Sequence, residues 1–203
     1  MLNRCKICFN PIYNHHLSNN KTLICDHCFQ QFDVRFIRTR IETYSALIIY
    51  HYNDFFKTLL YMFKGCFDYE LKDVFLDRFK NELKLRYYSY YIVFAPSNFA
   101  DDEKRGYNHV QEIALIISNK VVDCLYKNQY FKQSDRSKQE RNKVKDQISI
   151  KPHPSFFNKK ILLVDDVITT GSTIKRCVEL LKKDHPKKIE ILILSKNFKN
   201  NDE

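Results

Sequence analysis

Two stretches of this 203-residue chain have residue types and spacing suited to chemistry. The first is Ile161–Thr173. Four apolar residues, Ile161 to Val164, are followed by Asp165 and Asp166, and after Val167 and Ile168 comes Thr169-Thr170-Gly171-Ser172-Thr173. The apolar run has buried-strand length, and Ile174, Cys177, Val178 and Leu181 then recur at helical spacing. In open α/β sheets, ligands bind beyond the carboxyl ends of the strands. There, the first N–H groups of a helix, surrounded by hydroxyls, form an anion cradle. Gly171 lets the backbone close around a phosphate. Two carboxylates would repel that phosphate unless they bonded something else, and vicinal sugar hydroxyls suit them. The composite predicts a ribose-5-phosphate site. Taken alone, the acids could be a helix cap and Thr-Thr-Gly a turn. A receiver domain also places an acidic pair after an apolar strand, but the 37 residues after Asp166 leave too little room for its remaining strands.

The second stretch is Cys5-x-x-Cys8 and Cys25-x-x-Cys28, sixteen residues apart. This is the spacing of a four-thiolate zinc site, in which each pair chelates from one tight turn. A thioredoxin-like pair would occur once, within a larger βαβ unit. Four thiolates leave no open coordination position, so the expected zinc is structural. His15, His16 and His27 lie close by and read as loop residues. Cys66, Cys124 and Cys177 stand among apolar neighbours, where a thiol acts as a small hydrophobe.

Composition bounds the alternatives. The three glycines, Gly65, Gly106 and Gly171, are too far apart for a Walker A loop or a dinucleotide fingerprint. No apolar run reaches membrane-spanning length, and the N-terminus lacks an apolar signal core, so a cytoplasmic protein is expected. A formal charge of +10 favours a polyanionic partner. The excess of Lys, Asn, Ile, Phe and Tyr is equally the mark of an AT-rich coding sequence. Lys132–Lys160 could track a phosphate backbone or be a solvated basic loop. Tyr87, Tyr88, Tyr90 and Tyr91 could stack on bases, although a helix end entering a strand explains them better.

These residues need a scaffold. Residues 1–32 read as a small separate unit and 33–43 as a linker. A strand is predicted at Tyr44–Tyr52, helices at Asp54–Lys64 and Asp68–Arg86, and a strand at Tyr90–Ala95. A polar loop then leads to a helix at Asn108–Ser118. Loops or hairpins follow, with weak strand signals near Tyr130 and Ile148–Ile150. Ile161–Val164, Thr173–Lys183 and Ile189–Leu194 form a βαβ unit, so that part of the sheet should be parallel.

Ile161–Thr173 is similar to the phosphoribosyl-pyrophosphate (PRPP) signature of type I phosphoribosyltransferases. With the N-terminal Cys pairs, Phe63-Lys64-Gly65, and Arg105-Gly106-Tyr107-Asn108 after a Pro-ended strand, the chain resembles the ComF family of competence-associated proteins. That resemblance implies a type I phosphoribosyltransferase-like α/β domain over 44–203, a parallel sheet flanked by helices, beside the zinc knuckle. It implies that Asp165 and Asp166 contact the ribose hydroxyls of PRPP. Thr169, Thr170, Gly171, Ser172 and Thr173 would hold its 5-phosphate, with Mg2+ bound mainly through the ligand, and Arg105 would reach the same ligand. The implied role is natural transformation: handling of single-stranded DNA, with other DNA-uptake proteins as partners and a cytoplasmic location peripheral to the inner membrane. The alternative is transfer of ribose-5-phosphate from PRPP to a nitrogen acceptor, for which no catalytic residue stands out. An enzyme would need Ser97–Asn108 as a closing lid, whereas a binding protein would not. The sequence departs from the family at Phe94-Ala95-Pro96, usually Pro-Val-Pro, and in the eroded Gln- and Arg-containing motif between Gln133 and Asn142.

Overall fold

The computed structural model describes residues 3–12, 22–128 and 148–198. Its strands are β1 (Val34–Ile41), β2 (Tyr44–His51), β3 (Tyr91–Phe94), β4 (Val121–Val122), β5 (Leu125–Lys127), β6 (Ile148–Ile150), β7 (Lys160–Ile168) and β8 (Lys188–Lys196). Six of them form one sheet in the order β1-β2-β8-β7-β3-β4, and β5 and β6 form a separate antiparallel pair. Only β1 runs antiparallel within the large sheet. The apolar runs of β2, β7 and β8 suit strands covered on both faces. On one face, Leu47, Leu162, Val164, Leu192 and Leu194 pack beneath α2 (Asp54–Gly65), a 3-10 segment (Tyr69–Leu76), α3 (Lys80–Tyr87) and α5 (His109–Ile117). On the other, Ile48, Val93, Leu163, Ile191 and Ile193 pack against α6 (Ser172–Leu181) and the β5–β6 pair. Among the described residues, no helix is long and apolar enough to cross a membrane.

Several elements differ from expectation for identifiable reasons. Residues 33–43, read as a linker, contain β1, which turns at Glu42 (φ 55°) and pairs along β2. Without it β2 would be an open edge, and the charges of Arg35, Arg38 and Arg40 suit a strand that takes over that edge. The expected helix Asp68–Arg86 is broken between its 3-10 first half and α3. At the break, Asp77 turns its buried carboxylate to the N–H of Leu23, 2.9 Å away. The loop before α5 contains a short helix, α4 (Phe99–Arg105), capped by Asn98 and ended by Gly106 at φ 83°. Strand β7 continues four residues past Val164, so the two acids lie within the strand and not after it. Cys124 and Cys177 are buried as expected, but Cys66 is exposed just past the end of α2. The strand signal near Tyr130, the eroded motif at Gln133–Asn142, His15, His16 and most of the Lys132–Lys160 stretch lie outside the described residues.

The cysteine-rich segment, which carries the short helix α1 (Asp26–Gln30), is docked on this domain. Beyond the Leu23–Asp77 bond, Arg78 donates to the carbonyl of Ile24 and to the carboxylate of Asp26 at 2.6 Å, and Lys6 pairs with Glu70 at 2.9 Å. Ile24, Cys28 and Phe32 belong to the same buried cluster as Tyr50, Phe56 and Phe75. The Phe32 ring lies 5.1 Å from those of Tyr50 and Phe55.

Candidate functional site

Neighbouring residues of a strand point to opposite faces, so the end of β7 sends one acid to each side of the sheet. Asp165 follows the Leu163 face and Asp166 follows the Val164 face, beneath α5. Both are only 9% exposed. Oδ2 of Asp166 lies 2.9 Å from Nε2 of His109 and 3.3 Å from Nζ of Lys64, while its Oδ1 accepts the N–H of Val167 at 2.7 Å. Burial works against the charge of Asp166. The hydrogen bond from His109 and the Lys64 ammonium outweigh that penalty and hold its carboxyl below the usual range. Among the described residues Asp165 has no such side-chain donor, and its Oδ1 accepts the N–H of Asp166 at 2.9 Å. Burial, followed by the adjacent Asp166 charge, pushes its carboxyl well above the usual range. The two adjacent acids are thus pushed in opposite directions, as expected when close carboxyls share little solvent and only one of them has cationic and N–H partners.

The orientation of Asp166 rests on a chain of donors that starts in α4. Arg105 is 5% exposed at its side chain, and its Nη1 lies 2.9 Å from Nδ1 of His109 and 3.3 Å from Asp102. A guanidinium can only donate. Nδ1 of His109 must then accept, which places the ring proton on Nε2, facing Asp166. Ser97 donates to Asp102, and Asn108 donates to both at 2.8 and 2.9 Å while its Oδ1 caps the first turn of α5. The Tyr107 hydroxyl donates to the carbonyl of Phe63, next to Lys64, which ties this junction to α2.

Beside the acids lies a cleft of about 570 Å³ at the carboxyl ends of β3 and β7, lined among others by Lys64, Lys104, Arg105, Lys127 and Thr173. Gly171, at φ 75°, precedes α6 and leaves its first turn without a side-chain cap. Thr170 and Ser172 face each other at 3.1 Å between their hydroxyls, and with Thr169 they are exposed. The structure thus brings Asp165, Asp166, Arg105 and Thr173 to one cleft, with the remaining loop residues next to it. Sequence reasoning missed three contributors. His109 carried a usable signal, because it stands four residues before Ile113 and so on the buried stripe of α5. Lys64 stands out in the sequence only as part of Phe63-Lys64-Gly65. Lys127 sits in a three-residue strand too short to leave a pattern.

Cys5, Cys8, Cys25 and Cys28 bring their sulfurs within 4.8 Å of one another, with Cys8 and Cys25 at 3.7 Å. Four sulfurs about 2.3 Å from a shared ion would stand about 3.8 Å apart, so the cluster has room for a metal ion and little else. Backbone N–H groups of Ile7 and Cys25 point at the Cys5 sulfur, and that of Cys28 at the Cys25 sulfur. Such donors favour thiolates. Lys6 N–H to Leu23 carbonyl, at 2.9 Å, ties the two turns together.

Replacing His109 with Ala strips Asp166 of its buried donor, at an expected cost of roughly 1–3 kcal/mol in urea unfolding. His109→Gln keeps an N–H in reach and should recover part of that loss. Equal stability of all three proteins would mean that the histidine does not hold the carboxylate.

Comparison with known proteins gives a consistent picture. The family model for the phosphoribosyl transferase domain matches residues 103–202, from within α4 to beyond β8. Competence protein ComFC of Streptococcus pneumoniae is 31% identical over 150 residues, which make up 74% of this chain and 67% of that protein. Among solved structures, a hypoxanthine phosphoribosyltransferase from Staphylococcus aureus has 17% identity and a TM-score of 0.41, over 62% of each chain. The purine phosphoribosyltransferase of Pyrococcus horikoshii has 21% identity and a TM-score of 0.35, over 61% of this chain and 84% of that one. With its parallel sheet, its acidic β7 end and the extent of its match to ComFC, the chain belongs to the ComF family of proteins with a phosphoribosyltransferase-like domain.

Proposed function

We propose that this is a PRPP-binding ComF protein that handles single-stranded DNA during natural transformation. The observation that carries the ligand is the cleft at the end of β7, where two buried acids stand beside a glycine-led helix start and four cations. PRPP presents a diol, a 5-phosphate and a pyrophosphate. Asp166 accepts from the ribose hydroxyls, and Asp165 shares that bond network. Thr169 to Thr173, with the N–H groups opening α6, take the 5-phosphate. Lys64, Lys104, Arg105 and Lys127 offset the pyrophosphate charge, together with a Mg2+ ion carried by the ligand. Nε of Arg105 is buried without a hydrogen-bond partner among the described residues, which fits a side chain held for a ligand. Family membership and the +10 charge support the DNA role. The alternative role, as a transferase, needs a closing lid. The Ser97–Asp102–Asn108 clamp fixes α4 against α5, which favours binding over turnover.

We further propose that residues 1–32 are a zinc-dependent unit folded onto a domain spanning 44–203. The sulfur spacing and the N–H donors support zinc, and its binding would supply folding energy that this short segment lacks.

Two measurements test these assignments. PRPP with Mg2+ should raise the melting temperature, because a ligand confined to the native state stabilises it by mass action. Asp166→Ala and Thr173→Val should each remove that rise; if both variants keep it, PRPP is not bound by this loop. Elemental analysis of reduced protein should find one zinc per chain, lost in Cys25→Ser. Because Ile24 and Phe32 share the main core, that variant should lower the melting temperature of the whole chain. Metal-free protein with unchanged stability would sink the zinc assignment.

A further inference from the structure

At the opposite end of the sheet from the PRPP cleft lies a second concavity, of about 390 Å³, between the edge strand β1 and helix α3. Its walls include Arg38, Arg40, Arg86 and Lys188, with one carboxylate, Glu190, among them. Strand register explains the grouping. Arg38 stands opposite Leu47, Arg40 opposite Ser45, and Ser45 opposite Glu190, so all of them share the face that α3 covers. Glu190 is buried and serves as an anchor. It accepts from the Tyr90 hydroxyl at 2.9 Å, pairs with Lys188 at 2.5 Å, and lies 3.9 Å from Arg86. Arg38 and Arg40 are exposed and have no acidic partner among the described residues. Four cations therefore face one carboxylate that two of them already share.

We propose that this groove is where the phosphate backbone of single-stranded nucleic acid binds, an inference that rests on the DNA-handling role proposed above. Planar guanidinium forks bind phosphate in a bidentate manner. Arg38 and Arg40, two residues apart on one side of a strand, are separated by about 6.6 Å, a repeat that suits successive phosphates of an extended strand. The groove also lies well away from Asp165 and Asp166. Glu190 is level with Leu162 of β7, about 13 Å along the strand before Asp166. Both ligands can therefore be held at once.

The test uses the full chain and a fluorescein-labelled oligo-dT, followed by anisotropy across a salt series. Charge reversal in the double variant Arg38→Glu, Arg40→Glu should weaken binding at least tenfold. It should also flatten the log–log salt slope by about 1.4, since each phosphate left without its arginine removes ~0.7. Arg38→Gln, Arg40→Gln should flatten it equally with a smaller loss of affinity. Both double variants should keep the wild-type melting temperature and its rise with PRPP and Mg2+. If wild type binds the oligonucleotide and the double variants match it in affinity and slope, the groove is not the interface and the DNA role stands. If wild type does not bind at low salt, both ideas fall. Displacement of the oligonucleotide by poly-glutamate at equal charge would instead identify the groove as a site for acidic protein segments.

Discussion

Burying a carboxylate costs several kcal/mol unless donors replace the water it loses. Asp166 meets this constraint near the end of β7, and much of the local architecture follows from the donors it requires. His109 has to be the first residue of α5, so that its ring reaches down to the strand. Arg105 has to be buried behind it to fix the ring proton on the far nitrogen. Asp102, Ser97 and Asn108 then hold Arg105 and cap α5 together, while Tyr107 anchors the junction to the helix that carries Lys64. One ionised acid thus recruits α2, α4 and α5 to one side of β7. Its neighbour Asp165, whose carboxyl is pushed upward by burial, faces the opposite layer.

The same division of labour separates the two ends of the sheet. Beyond the carboxyl ends of β3 and β7 there is a cleft with paired acids and converging cations, suited to a small ligand with both hydroxyls and phosphates. At the amino ends of β2 and β8 the surface is open, and Arg38 and Arg40 there have no acidic partner among the described residues. The cysteine-rich segment belongs to neither end. It leans on the 3-10 segment through Glu70 and on the break before α3 through Asp77 and Arg78, and completes the core around Phe32. Metal at the four sulfurs would therefore stabilise a layer shared with the main domain.

How much of this was legible in the sequence depended on whether a signal was local. The βαβ unit around Gly171 was legible, because apolar runs of strand length flank a helical stripe. The two Cys pairs were legible because chelation imposes a fixed spacing. The role of residues 34–41 was not: their strand character comes from pairing with β2, and charged edge strands resemble linkers when read alone. The break at Asp77 was hidden for a similar reason, since the backbone group that draws its carboxylate away lies fifty-four residues earlier. His109 is the instructive case. Its position on an apolar stripe was visible, but its partners Arg105 and Asp166 come together only in the folded chain.

The central claim is that the cleft at the end of β7 recognises PRPP as a whole, through its diol, its 5-phosphate and its pyrophosphate. Isothermal titration calorimetry in the presence of Mg2+ tests this most directly, by comparing PRPP, ribose 5-phosphate and inorganic phosphate on the same protein. The account predicts one site per chain and affinities that fall in that order, each missing group costing at least tenfold. Equal affinity for the three ligands, or no heat with PRPP, would contradict it.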